Sequence, residues 1–266
     1  MNPPDPTSEQ VSITREEASS KSRPAETHPA ETHPADPAPR DPFYDYSDLF
    51  LFIGLVAASL LIAALLVRLF TAPFHATLTL QLLLSQIVLY FLAFGALGVL
   101  FRIRYFQPFW RSLGWKKITI ADAVGAVIAG PSLVIGIAIL GDRLHAPDVG
   151  PPFEQMLGSR TNMALIGLLA VILGPLAEEL AFRGFLMPLM IRSLGVAAGI
   201  IVTGFIFGSV HLYEYQWSWQ YMLLISLVGC VFGWAKYKTG STATSALMHS
   251  IFNLTQFVAL IAKVQG

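Results

Sequence analysis

Seven apolar stretches fill most of the chain after residue 48, at about residues 49–70, 77–101, 121–140, 162–191, 195–213, 218–236 and 242–262. A helix rises about 1.5 Å per residue and a bilayer's hydrocarbon core is about 30 Å thick, so roughly 20 apolar residues make one crossing. Hydrocarbon offers no water to unpaired N–H and C=O groups, which favours the helix, where every backbone bond is internal. The expectation is an all-α fold, a polytopic transmembrane helical bundle of about seven helices. Composition agrees: 54% of the 266 residues are hydrophobic and 13% charged, where about 25% charged is usual for soluble domains.

Other partners and chemistries drop out on composition. The formal net charge is zero, with no basic surplus to hold nucleic acid. Cys230 is the only cysteine, so no intrachain disulfide, cysteine-based metal site or dithiol redox motif can be built. Its place inside an apolar segment reads as helix packing. The first apolar run is too long for the core of a signal peptide and reads as a retained membrane helix.

Residues 1–42 are a zone apart, rich in Pro, Ala, Glu, Ser and Thr, with the repeat PAETH-PAETH-PADPA from Pro24 to Ala38. Prolines interrupt helix and few apolar residues remain to bury, which predicts a disordered tail, with the helical membrane domain over 43–266. His28 and His33 read as solvated repeat residues rather than metal ligands. Phe43 to Asp48, FYDYSD, supplies the aromatics expected at a membrane boundary. The densest basic cluster, Arg102, Arg104, Arg111, Lys116 and Lys117, lies between the second and third stretches. Placing it inside puts the N-terminus in the cytoplasm, with Arg192, Lys236 and Lys238 on the same side. No organelle-targeting segment is visible, so a prokaryotic plasma membrane is the expected location. Within the long fourth stretch, Pro175 is expected to kink or split the helix, and Pro188 to mark its fraying end.

Polar residues inside these stretches carry the functional signal. Ionisable side chains cost roughly 2.5–3.5 kcal/mol at a helix centre on insertion scales, so they are rare there and usually functional. Glu178 and Glu179 sit in LAEELAFRG with Arg183, His211 ends FIFGSVH, and His249 and Asn253 frame HSIFN. Neighbours on a helix point about 100° apart, so the two acids cannot share one direction. Glu179 stands four residues before Arg183, the favourable order for an ion pair. This suggests Glu178 for chemistry and Glu179 held by Arg183. Phe207 and His211 are one turn apart, as are His249 and Asn253, so each pair shares a face. Taken singly, each cluster also fits a plainer role: an ion-pair lock, an interfacial histidine, or interhelical hydrogen bonds. At about 1.5 Å per residue, Glu178 lies roughly 20 Å, His211 roughly 24 Å and His249 roughly 11 Å from the same face. The third is shallower and needs a tilted or shifted helix. HExxH, GxSxG and P-loop patterns are absent.

EE-x-x-x-R at Glu178, Glu179 and Arg183, F-x-x-x-H at Phe207 and His211, and H-x-x-x-N at His249 and Asn253 occur in order. Together, over about residues 160–260, they resemble the CPBP intramembrane proteases, which include type II CAAX prenyl endopeptidases and Abi, or bacteriocin-immunity, proteins. The resemblance implies that the bundle encloses an intramembrane catalytic cavity and hydrolyses a peptide bond in a membrane-associated protein or peptide. It implies that Glu178 activates water, His211 positions it, His249 and Asn253 stabilise the oxyanion, and Glu179 and Arg183 shape the site. Two readings of the chemistry stay open: Zn²⁺ held by Glu178, His211 and His249, or a metal-free glutamate mechanism, which Asn253 as an oxyanion donor favours. The rival functions are a non-catalytic scaffold or immunity protein and a proton-coupled carrier; no inverted repeat supports the carrier.

Overall fold

The computed structural model describes residues 41–150 and 154–265. The proposed disordered tail therefore lies, up to residue 40, outside the described residues, as do His28 and His33. Helices run over α1 (Tyr46–Thr71), α2 (Leu78–Tyr105), α3 (Phe109–Ser112), α4 (Ile120–Arg143), α5 (Arg160–Leu194), α6 (Val196–Val210), α7 (Trp219–Thr239) and α8 (Thr242–Gln265). No strand occurs among the described residues. By length and composition α1, α2, α4, α5 and α8 can each cross a membrane. The other two apolar stretches are helical as well: α6 has 15 residues, and α7 has 21 with Trp, Gln and Lys towards its ends. The protein is an integral membrane protein whose described regular elements are all helices.

Side-chain oxygens start several of these helices. Thr77, Thr119, Ser159 and Ser218 each accept a backbone N–H from the first turn of the helix that follows. Such caps satisfy donors that have no intrahelical partner. Asp45 caps α1 reciprocally with Asp48, and hydrogen bonds from Ser47 hold the Asp45 carboxyl below the usual carboxylate range. Asp48 then turns inward, 2.9 Å from the Arg104 guanidinium, and accepts the Tyr105 hydroxyl at 2.6 Å.

Two apolar clusters flank the centre. One packs Tyr44 and Phe52 against Leu97 and Phe101 of α2 and Phe185 and Leu189 of α5. The other joins Ala126 of α4, Val228 and Phe232 of α7, and Met248 and Phe252 of α8. α6 meets α7 through small residues. A Cβ on Gly204 would sit 2.9 Å from both the Cys230 nitrogen and the Ser226 carbonyl oxygen, and a Cβ on Gly208 would collide with Ser226 and Met222. Close backbone approach through small residues is how membrane helices gain packing without a hydrophobic drive. Cys230 belongs to this contact, as its sequence position suggests.

α5 is the irregular element. Its 35 residues include two stretches of π-helix, Leu168–Leu173 and Leu180–Leu186, on either side of the turn that carries Glu178 and Glu179. Each π stretch hands over to a turn with proline near its start, Pro175 in one and Pro188 in the other. Gly174 N–H reaches back five residues to the Leu169 carbonyl. In that register the next donor should serve Ala170, but proline has none. Asn253 of α8 donates to the Ala170 carbonyl instead, at 2.8 Å. In the second stretch Met187 N–H reaches back to Phe182, and the Gly184 and Phe185 carbonyls share the Tyr44 hydroxyl, each at 3.1 Å. Burial pushes the Tyr44 hydroxyl well above its ordinary pKa, so it stays a donor. Pro188 is thus no fraying end: the helix resumes for eight residues, because a π-to-α junction can absorb the missing N–H.

α8 begins inside the bundle. Ser241, Thr242, Thr244 and Ser245 are all at most 3% exposed. Thr242 donates its N–H to the Gly114 carbonyl at 3.0 Å and its hydroxyl to the Leu113 carbonyl at 2.6 Å, while Ser241 bonds the Lys116 carbonyl. The loop after α3 therefore packs over the start of α8.

Candidate active site

Glu179 and Arg183 are completely buried, with Nη1 3.0 Å from Oε1. The nearest charges alone do not explain how such a pair survives in an apolar bundle, since desolvation penalises both partners. Its surroundings do. Ser245 donates to Glu179 Oε2 at 2.6 Å, His249 Nδ1 lies 3.0 Å from Oε1, and Arg183 Nη2 donates to the Gly229 carbonyl at 2.9 Å. The guanidinium also lies 4.4 Å from the ring centre of Phe207 and 5.5 Å from that of Phe232, where a cation gains from the π face. Nε and Nη1 of Arg183 make no aligned hydrogen bond. Charge and ring contact, rather than a forked carboxylate grip, hold this side chain.

Glu178, the neighbour, points elsewhere. Its side chain is 33% exposed, and Oε2 lies 3.8 Å from His249 Nε2. Both residues line a cavity of about 620 Å³, together with Phe207, His211 and Asn253. The adjacent acids therefore divide as their angular separation requires, one packed and one facing the cavity.

The hydrogen bonds set the histidine tautomers. A carbonyl oxygen can only accept, so His211 Nδ1, 2.7 Å from the Phe207 carbonyl, carries a proton, and in the neutral ring Nε2 is the lone pair. An ionised Glu179 likewise can only accept, so His249 donates from Nδ1 and its Nε2 faces Glu178. Ring packing fixes the plane: His249 stacks on Phe232 with centres 4.6 Å apart, and His211 lies 4.8 Å from Phe207. Asn253 has one amide N–H committed to Ala170, which leaves the second for the cavity.

All six residues singled out from sequence are thus found in one place. Glu178, His211, His249 and Asn253 line the cavity, and Glu179 and Arg183 stand behind it. Two further residues join them. Ser245 completes the Glu179 shell, and its spacing of four from His249 and eight from Asn253 was the available signal. Glu214, in the loop after α6, also lines the cavity. Loss of hydration holds its carboxyl above the usual range, with Glu178 adding to the effect and His211 opposing it.

Among the described residues, no group of three or more His, Cys, Asp or Glu side chains is close enough to hold a metal ion. Zinc takes nitrogen and oxygen ligands at about 2.0–2.2 Å. Glu178 and His249 form a near pair, but His211 is not drawn to ligand spacing with them.

Residues 160–255 match the family model described as type II CAAX prenyl endopeptidase Rce1-like. This stretch is a CPBP-family intramembrane protease domain. It holds α5 to α7 and most of α8, and with them every residue of the site just described. No curated protein and no solved structure matches the chain. The protease domain supplies the cavity's chemistry, while Thr79, Gln86 and Tyr90 of α2 line it from outside the matched stretch.

Proposed function

We propose that the protein cleaves a peptide bond of a membrane-associated substrate in this cavity, with Glu178 as the general base. The observation that carries the reading is Glu178 facing His249 Nε2 at 3.8 Å within the cavity, while the adjacent acid is fully committed to Arg183, Ser245 and His249. A water between Glu178 and the His211 Nε2 lone pair gives its proton to Glu178 as its oxygen attacks the scissile carbonyl carbon. The oxyanion is received by doubly protonated His249, through Nε2–H, and by the free amide N–H of Asn253. Donors fixed in a water-poor site are effective because nothing must reorganise as charge develops. Glu178 then passes its proton to the departing amine nitrogen as the C–N bond breaks. Glu179 keeps His249 oriented and balances its charge, and Arg183 keeps Glu179 ionised. These residues suffice without a metal step.

Contacts at one end of the bundle support a reading of its orientation. Arg104 pairs with Asp48 at the start of α1, Arg192 binds the Pro42 and Tyr44 carbonyls, and the Lys116 carbonyl accepts from Ser241. We place this basic end, and the N-terminus, in the cytoplasm of a prokaryotic cell.

The test compares peptide termini by mass spectrometry in membranes carrying wild type or Glu178→Ala at matched, folded levels. Products lost in the variant establish a Glu178-dependent protease and reveal its substrate. Identical termini would instead favour a scaffold or immunity role.

A further inference from the structure

Glu214 stands out among the cavity residues because its carboxylate makes no hydrogen bond or ion pair among the described residues. The loop that carries it is ordered by its own backbone: Glu214 N–H donates to the His211 carbonyl at 3.1 Å and Trp217 N–H to that of Leu212 at 2.8 Å. Tyr215 stacks on Tyr221 with ring centres 4.5 Å apart, and the Tyr221 hydroxyl donates to the Pro147 carbonyl at 3.0 Å. The loop is thus braced, and it holds the exposed Glu214 on the wall of the cavity. No ion pair or side-chain hydrogen bond forms to its carboxylate among the described residues. Two carboxylates, Glu178 and Glu214, line this cavity, and none of its described lining residues is Lys or Arg. His211 lies near enough to oppose the raised pKa of Glu214, but forms no hydrogen bond or ion pair with it among the described residues.

A carboxylate on a cavity wall that has no hydrogen-bonded or ion-paired cation is placed to receive one from outside. We infer that the protease selects substrates with a basic side chain close to the scissile bond, and that Glu214 is the residue that receives it. The inference rests on the proteolytic reading of the cavity and names the substrate class that reading leaves open. A substrate acid in the same position meets two like charges and is rejected. A neutral residue leaves Glu214 unpaired. Specificity thus comes from both attraction and penalty.

The test uses the full-length protein in detergent with quenched-fluorescent apolar peptides in which Lys, Gln or Glu is walked along both sides of the scissile bond. At one position kcat/KM for Lys should exceed that for Gln by about tenfold, the scale of one partly desolvated charge pair. Glu214→Gln should remove that advantage, and Glu214→Lys should turn the preference towards Glu. Equal cleavage of all three peptides, or a Lys advantage that survives in Glu214→Gln, overturns the inference. Peptide affinities measured by fluorescence anisotropy on Glu178→Gln separate the two claims. The order Lys tighter than Gln tighter than Glu must hold there without turnover, and its absence overturns the role of Glu214. Cleavage that persists in Glu178→Gln overturns the base assignment instead.

Discussion

The two faces of α5 at its middle turn use the same residue type for opposite ends. On the cavity face Glu178 keeps a third of its side chain open and meets one histidine nitrogen at 3.8 Å. On the packed face Glu179 has no exposure and contacts Arg183, Ser245 and His249. The packed face is a closed polar network in which each charge is answered. The cavity face is an unfinished one, completed only by water and substrate. What separates them is about 100° of helix rotation, and His249 touches both. The difference teaches that a membrane protease needs a rigid, satisfied set of charges directly behind the reactive ones.

Breaking the cavity face should cost rate and little else. Glu178→Gln keeps shape and removes the base, so turnover should fall by about 10²–10⁴-fold, the usual contribution of a positioned acid or base. Its thermal unfolding should stay within about 0.5 kcal/mol of wild type, as for substitutions away from packed features. A parallel loss of stability in the melting curve would mean that Glu178 is part of the structural network after all.

Breaking the packed face should do the reverse. Glu179→Ala leaves Arg183 buried without its counter-charge, and removing one partner of a buried pair costs about 3–5 kcal/mol. The expected outcome is a much lower yield of folded protein and a lower melting temperature. Activity should be lost with the fold. Replacing both partners, as in Glu179→Met with Arg183→Met, should recover part of the stability but not the activity, because His249 loses the acceptor for its Nδ1 proton. Recovery of both would show that Glu179 does not orient His249.

The sequence made the division between the two acids legible and left the framework that enforces it obscure. The order Glu179 then Arg183 along one helix face is a local rule, and the ion pair follows from it. The one-turn spacing of His249 and Asn253 likewise survives into the structure. The π stretches do not announce themselves, because a register of five rather than four is chosen by tertiary partners. Asn253 on the Ala170 carbonyl and Tyr44 on those of Gly184 and Phe185 lie 83, 140 and 141 residues away in sequence. The start of α8 is held in a similar way, by Leu113 and Gly114 far upstream. Glu214 was hidden because the run after His211 reads as a membrane boundary, where a charged residue needs no explanation. Pro131 of α4 makes the contrast within the molecule: it sits inside a continuous α-helix, with no π stretch and no catalytic residue beside it.

Asn253 tests whether one side chain can serve both faces. It donates one N–H to α5 and is proposed to offer the other to the oxyanion. Asn253→Ala should therefore lower kcat by about 10²-fold or more, the scale of a lost oxyanion donor. It should also cost about 1–3 kcal/mol of stability, because a buried carbonyl loses its partner. Asn253→Asp at high pH removes both N–H groups while keeping shape, and the same double loss is expected. A fall in stability with kcat unchanged would reduce Asn253 to a brace for the π stretch. Chelation sharpens the same face further. Dialysis against a strong chelator should leave wild-type turnover unchanged, and a loss restored by Zn²⁺ alone would bring Glu178, His211 and His249 together as ligands.

The smallest effect is expected from Ser245, which touches only the packed face. Its hydroxyl donates to Glu179 Oε2 at 2.6 Å and also lies 3.0 Å from the Phe232 carbonyl. In Ser245→Ala, Glu179 keeps Arg183 and His249 on its other oxygen, so the network is weakened but not opened. The cost should be about 1–2 kcal/mol by the rule for an unsatisfied buried acceptor, read as a shift of the melting curve. Turnover should drop only a few-fold, because His249 retains its acceptor, and the pH profile of kcat should keep its shape. A displaced pH profile would place Ser245 among the groups that set the charge of His249 through Glu179. In that event the division between a satisfied face and a reactive one would have to be redrawn one residue deeper, with the hydroxyl counted on the reactive side.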